Sequence, residues 1–175
     1  MIKNIFIFFF LLFNFIFLFL SSSHSSSKYD KNHPIEITAD SLEVLQNERI
    51  AIFKGSVDAS QGEILLKADM LKVHYSSSNK DDSQSVSKIL AEGNVFFSTN
   101  SETAKSNKGE YNVDLGLITL TGSVKLTQGK NILRGNMLKI DLKTGKNTMI
   151  GESKPISETT KDGRVKGLFV PNKRK

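Results

Sequence analysis

From Pro34 onward the apolar residues largely alternate with polar ones. "IEITA" sets Ile35, Ile37 and Ala39 on one side of an extended chain. "EILLKA" does the same with Ile64, Leu66 and Ala68, and "GLITLT" with Ile118 and Leu120. A period of two predicts strands with one dry face and one wet face. Turn signals recur at short intervals, as in "SQG" at Ser60, "TQGKN" at Thr127 and "KTGKN" at Lys143. No convincing helical period interrupts them. Many short strands with frequent turns predict an all-β fold.

The strands also repeat. "RIAIFKGSV" (Arg49 to Val57), "KILAEGNV" (Lys88 to Val95) and "GLITLTGSV" (Gly116 to Val124) each read as an apolar strand that breaks at a glycine. Gly55, Gly93, Gly122 and Gly151 are predicted to start equivalent turns, 38, 29 and 29 residues apart. The long first step holds "SSSNKDDSQ", residues 76–84, a polar nine-residue insertion. A second element recurs as "ADSLEV" (Ala39 to Val44), "ADMLKV" (Ala68 to Val73) and "GNMLKI" (Gly135 to Ile140). In the middle unit "KGEYNV" (Lys108 to Val113) falls two residues late. One such unit cannot bury its apolar face alone, whereas stacked units join their faces into one interior. The expected architecture is a solenoid-like stack of strands with a repeat of about 29 residues. Each end of the stack leaves strand groups unpaired.

The expected inward set is Ile35, Ile37, Val44, Ile52, Ile64, Leu66, Val73, Val95, Phe97, Tyr111, Val113, Ile118, Leu120, Leu138 and Ile140. Such a row fits a packed core or a long greasy slot. Lys72 and Lys139 alternate with it and are expected to face solvent. Arg49, Lys54 and Arg134 are expected near strand ends or turns, within reach of the mouth of the interior.

The N-terminus breaks the pattern. Lys3 precedes a Phe/Ile/Leu block from Ile5 to Leu20, interrupted only by Asn14, and serines follow from Ser21 to Ser27 around His24. That order of basic, apolar and small residues predicts an export signal. The block of 16 residues is shorter than the roughly 20 of a spanning helix. Residues 1–27 are therefore read as a cleaved leader, with a retained membrane anchor as the alternative. Residues 28–33 form a linker, 34–171 one domain, and 172–175 a basic tail.

Composition narrows the chemistry. The whole chain carries 24 basic and 18 acidic residues. Without the leader, and so without Lys3, the balance is 23 − 18, or +5, which suits an anionic partner without requiring one. Unclustered basic residues on an exported chain argue against nucleic acid. With no cysteine, neither a disulfide nor thiol chemistry is available. His24, His33 and His74 lack metal-ligand spacing, and no cofactor motif is present. Asp40 and Asp69 recur at one place in successive units, with Gly109 and Asn136 as the expected next equivalents. Stacked carboxylates can cleave glycans in a secreted β-helix enzyme. An Asp after Ala also supplies a local turn hydrogen bond, which is the preferred reading. The chain is expected not to be an enzyme.

The stretches "IEITADSLEV", "FKGSVDASQGEILLKADMLKV", "KGEYNVDLGLITLTGSVKLTQGKNILRGNMLKI" and "RVKGLFVPN" together resemble the LptA (OstA-like) family of periplasmic lipopolysaccharide transport bridges. The resemblance spans roughly Pro34 to Pro171. It implies an open β-jellyroll whose walls part around the acyl chains of lipopolysaccharide (its lipid A part). It implies head-to-tail homo-oligomers between an LptC-like inner-membrane protein and an LptD-like outer-membrane protein. By the same resemblance Ile35, Ile37, Val44, Phe97, Tyr111 and Val113 are expected to face lipid. A membrane-anchored LptC-like subunit is the alternative within the same pathway.

Overall fold

The computed structural model describes residues 29–77, 84–152 and 163–171. The leader, residues 78–83 of the polar insertion and the basic tail lie outside the described residues. Ten strands follow one another: β1 (Glu36–Thr38), β2 (Ser41–Leu45), β3 (Ile50–Gln61), β4 (Ile64–Ser77), β5 (Gln84–Ser98), β6 (Thr103–Asn112), β7 (Leu117–Gln128), β8 (Asn131–Asp141), β9 (Lys146–Ile150) and β10 (Lys166–Leu168). They form one sheet in the order β1-β3-β4-β5-β6-β7-β8-β10, with β2 also paired to β3 and β9 to β8. Every pairing is antiparallel. This excludes the parallel β-helix that the glycan-cleaving alternative needs.

The predicted hairpin turns are present, with Gly62, Gly129 and Gly145 at positive φ between consecutive strands. The Gly-Ser and Gly-Asn pairs are not turns, however. β3, β5 and β7 run straight through them. Gly55–Ser56, Gly93–Asn94 and Gly122–Ser123 each put two consecutive residues at positive φ, and the register slips at each pair. They are β-bulges, in which two residues oppose one and the strand bends. Gly151 does not join them: it follows β9, close to Gly163 just before β10.

The bulges share one level across the sheet, because Asp69 and Asn107 fall at the register slips of their own strands. The middle repeat therefore begins at Ser106–Asn107, equivalent to Ala68–Asp69, and not at Lys108 or Gly109. Strands of 10 to 15 residues are thereby creased into two walls. The upper wall holds Val57, Ala68, Val95, Ser106 and Val124 and the strand halves beyond them. The lower wall holds Phe53, Leu71, Ala91, Tyr111, Leu120 and Leu138. Inner-face positions follow the rule in-x-in-x-x-in-x-in along β4, where Leu66, Ala68, Leu71 and Val73 are all buried. The extra step is the crease.

Both walls contribute to a single core cluster. Its fully buried members Phe97, Leu71, Ile89, Leu120 and Leu138 each contribute about 1.5–3 kcal/mol by leaving water. Ile52 is corrected: it pairs with Lys72 and Glu43 on the outer face, while its neighbours Ala51 and Phe53 pack on the core. The A-I-F run has no alternation of polarity to fix its phase, so the partner strand decides it.

Candidate functional site: the inner face and its seam

Gly93 shows how the crease is held. Its φ is +78°, and a Cβ there would collide with the Asp69 carboxylate. That carboxylate accepts from Asn94 Nδ2 at 2.9 Å and 3.2 Å through its two oxygens. Asp40 stands in the same relation to Gly55, and the Asp40 amide donates to the Gly55 carbonyl at 3.0 Å. Asn107 does so at Gly122. The repeated acidic position is thus a cross-strand bulge partner, not the source of a local turn hydrogen bond: Asp69 is bonded 25 residues away.

At the free ends of the walls the two tips meet. Tyr111, on the lower wall, donates its hydroxyl to Gln61 Oε1 of the upper wall at 2.6 Å. Gln61 Nε2 in turn donates to the carbonyls of Lys31 (3.1 Å) and His33 (3.0 Å). Tyr29 Oη lies 2.8 Å from Tyr111 Oη and 3.0 Å from the Val113 carbonyl, and its single proton serves one of the two. Residues 29–33 therefore form a strap across the tips. Burial, and then the neighbouring Tyr29 hydroxyl, push the Tyr111 phenol well above its ordinary range. A second tie lies further along, where Asn147 Nδ2 donates to Glu102 Oε2 at 2.7 Å. Burial raises the Glu102 carboxyl above the usual carboxylate range, partly offset by that hydrogen bond.

Inside this seam the middle of the face is apolar and tightly packed. The cleft lined by Ile64, Leu66, Phe97, Tyr111, Ile118 and Leu120 has about 10 Å³ of free space, room for about one water. Among the expected lipid-facing residues, Phe97, Tyr111 and Val113 are buried in this closed middle. Ile35 and Ile37 are half-buried against its N-terminal edge. Val44 shares their face, opposite Ala51, but is 49% exposed and makes no part of the core. The packed-core reading thus holds for the middle of the face, while the apolar side chains at its N-terminal edge stay partly exposed.

The unsealed parts are at the two edges. Leu42, opposite Phe53 on the inner face, is 55% exposed. At the other edge Phe169 is 68% exposed, and its ring lies against Gly167, which pairs with Leu133. Sequence reasoning missed Leu42, Phe169, Tyr29 and Gln61. Leu42 had a signal, since it is the equivalent of Leu71 in "ADMLKV". Tyr29 and Gln61 had none, because their roles arise from contacts 82 and 50 residues away.

Residues 36–146 match the family described as LptA/(LptD N-terminal domain) LPS transport protein. An uncharacterized protein of Rhizobium meliloti (strain 1021) is 32% identical over 118 residues, 65% of this chain and 63% of that protein. The chain thus spans under two thirds of that relative's length. The crystal structure of LptH from Pseudomonas aeruginosa is similar with a TM-score of 0.68 at 19% identity, covering 81% of this chain and 99% of that one. LptH is described as the LptA homologous periplasmic component of the lipopolysaccharide transport device. The likeness shows the fold: an open, twisted, all-β jellyroll.

Proposed function

The chain belongs to the family of LptA and the LptD N-terminal domain, which are lipopolysaccharide transport proteins, and on that premise we propose that it is a non-enzymatic carrier for lipopolysaccharide acyl chains. We place it in the periplasm, after cleavage of its leader. There it passes lipopolysaccharide from an LptC-like inner-membrane protein to an LptD-like outer-membrane protein. The observation that carries this reading is one apolar face that is tightly packed in its middle and open at both edges. Ile35, Ile37 and Val44 at the N-terminal edge meet an incoming chain first. Phe97, Tyr111 and Val113 contact it once the seam parts, because the closed middle has no room for it.

The same edges supply the joints. Among the described residues, β1 and β2 at one end, and β9 and β10 at the other, each have a partner on one side only. Edge-to-edge strand addition then supplies affinity through main-chain hydrogen bonds, and head-to-tail contact builds open filaments. A photo-crosslinker replacing Ile37 or Tyr111 should capture lipopolysaccharide, and one at outward Lys72 should not. Equal capture at all three positions would reject the carrier reading. Deleting Gly163 to Lys175 removes β10 and should abolish self-association while leaving the fold intact. The mass of the exported protein tests leader cleavage.

A further inference from the structure

The outer faces of the two walls treat their charges differently. On the lower wall cations pair with carboxylates on neighbouring strands: Lys54 with Glu43 at 3.2 Å, Lys88 with Glu110 at 3.3 Å and Lys108 with Glu92 at 3.8 Å. Lys72 and Lys139 there have uncharged cross-strand neighbours, Ile52 and Leu90 for one, Thr119 and Thr148 for the other. On the upper wall the register sets Lys105 opposite Lys125, Lys125 opposite Arg134, and Arg134 opposite Lys166. Ala104, Ser106, Val124 and Leu126, which flank Lys105 and Lys125, are buried on the inner face, and cross-strand pairing puts Arg134 and Lys166 on the same side as Lys125, so all four cations face outward. None is ion-paired among the described residues. Like charges directly opposite one another destabilise a sheet, and among the described residues no carboxylate is ion-paired to this row.

The row also has a place and a direction. Adjacent strands are about 4.8 Å apart, so the four cations span about 14 Å along the axis of the stack. Lys105 is three residues beyond Glu102, the upper half of the seam tie to Asn147, which puts the row about 10 Å from the seam. Toward the N-terminal edge the row continues through Phe96 to Lys67 and Asp58, which are ion-paired at 2.7 Å. Positive potential therefore rises from β1 toward β10.

We propose that Lys105, Lys125, Arg134 and Lys166 form a phosphate-binding ladder for the head group of the carried amphiphile. The proposal rests on the carrier reading: chains held in the seam leave a head group beside the upper wall, where it folds back on the row. Lys and Arg side chains bind phosphate by charge-assisted hydrogen bonds, and a row at strand spacing offers equivalent positions along the transport axis. The head group thus leans on one wall only.

The test compares the full protein with the variant K105Q/K125Q/R134Q/K166Q, and with K72Q/K139Q as the lower-wall control. Binding is measured to phosphorylated lipid A, to the same lipid after dephosphorylation, to inorganic phosphate and to phosphatidylglycerol vesicles. The quadruple variant should lose about tenfold in affinity for phosphorylated lipid A. It should bind the dephosphorylated lipid as the unaltered protein does, and the control should change neither. Relief of like-charge contacts should leave its melting temperature equal or higher, so the variant folds. Equal loss for both lipids, or no loss for either, overturns the ladder while leaving the carrier reading standing. Inorganic phosphate bound as tightly as the lipid would make the row a general anion site, and row-dependent vesicle binding would make it a membrane surface. Either result overturns the proposal. Capture of neither lipid by the unaltered protein removes the carrier reading, and the ladder with it.

Discussion

Leu120 and Val44 lie on the same face of the same sheet, yet Leu120 is fully buried and Val44 is half exposed. Leu120 has Gly109 on one side and Leu138 on the other, with the opposite wall above it. Val44 has Ala51 on one side and, among the described residues, no strand on the other. Residue type does not separate them; the number of neighbouring strands does. The stack therefore keeps its folding energy in the middle and its unfilled apolar surface at the edges. The edges are open because the sheet is open, and only a further strand or a ligand completes them.

The largest break in this comparison comes from truncating both positions. Leu120→Ala should cost about 2–5 kcal/mol in urea unfolding, and Val44→Ala should stay within about 0.5 kcal/mol. Equal losses would mean that Val44 is packed in solution. Gly93→Ala forces a side chain into positive φ against Asp69 and should cost about 1–3 kcal/mol. Its destabilisation should loosen both walls together, read as faster amide exchange on either side of the crease. Tyr29→Phe should cost about 0.5–1.5 kcal/mol and speed amide exchange near Gln61 and Val113 without touching the crease. If exchange there is unchanged, the strap does not hold the seam. The smallest effect concerns Glu102. Its carboxyl is raised on folding, so the proton it holds favours the folded state. That contribution is complete below the ordinary carboxylate value and is lost as pH rises through the raised one. Glu102→Gln should flatten this part of the stability-versus-pH profile.

Alternation made most of the fold legible. Ile37, Val73, Leu120 and Ile140 each report an inward phase from local polarity alone. Two local signals were present but ambiguous. The G-S and G-N pairs carry the residue types of a turn, and a bulge uses the same types for the same positive φ. "KADMLKV" carries the crease in its spacing, because Ala68 and Leu71 share a face three residues apart; a strict period of two cannot represent that. The edges were legible only as apolar ends. Whether Val44 is buried depends on what pairs with β2, and that information is not local. The seam was not legible at all. Tyr29 falls in a stretch that reads as linker, and its hydroxyl has meaning only beside Tyr111.

The crease also sets where this chain can change length during evolution. Hairpin tips stand outside the register, so segments such as 142–145 between β8 and β9 can lengthen or shorten with little consequence for the pairing on either side. Loss of Ser56, Asn94 or Ser123 alone would instead remove one step from a bulge. Everything beyond it on that strand would then turn inside out relative to its neighbours, carrying lysines inward and valines to water. Viable insertions and deletions in descendants of this sequence should therefore gather at the tips, or come as whole strand pairs that lengthen the stack. Growth by paired strands keeps every bulge level, and it extends the apolar inner face by a fixed increment each time.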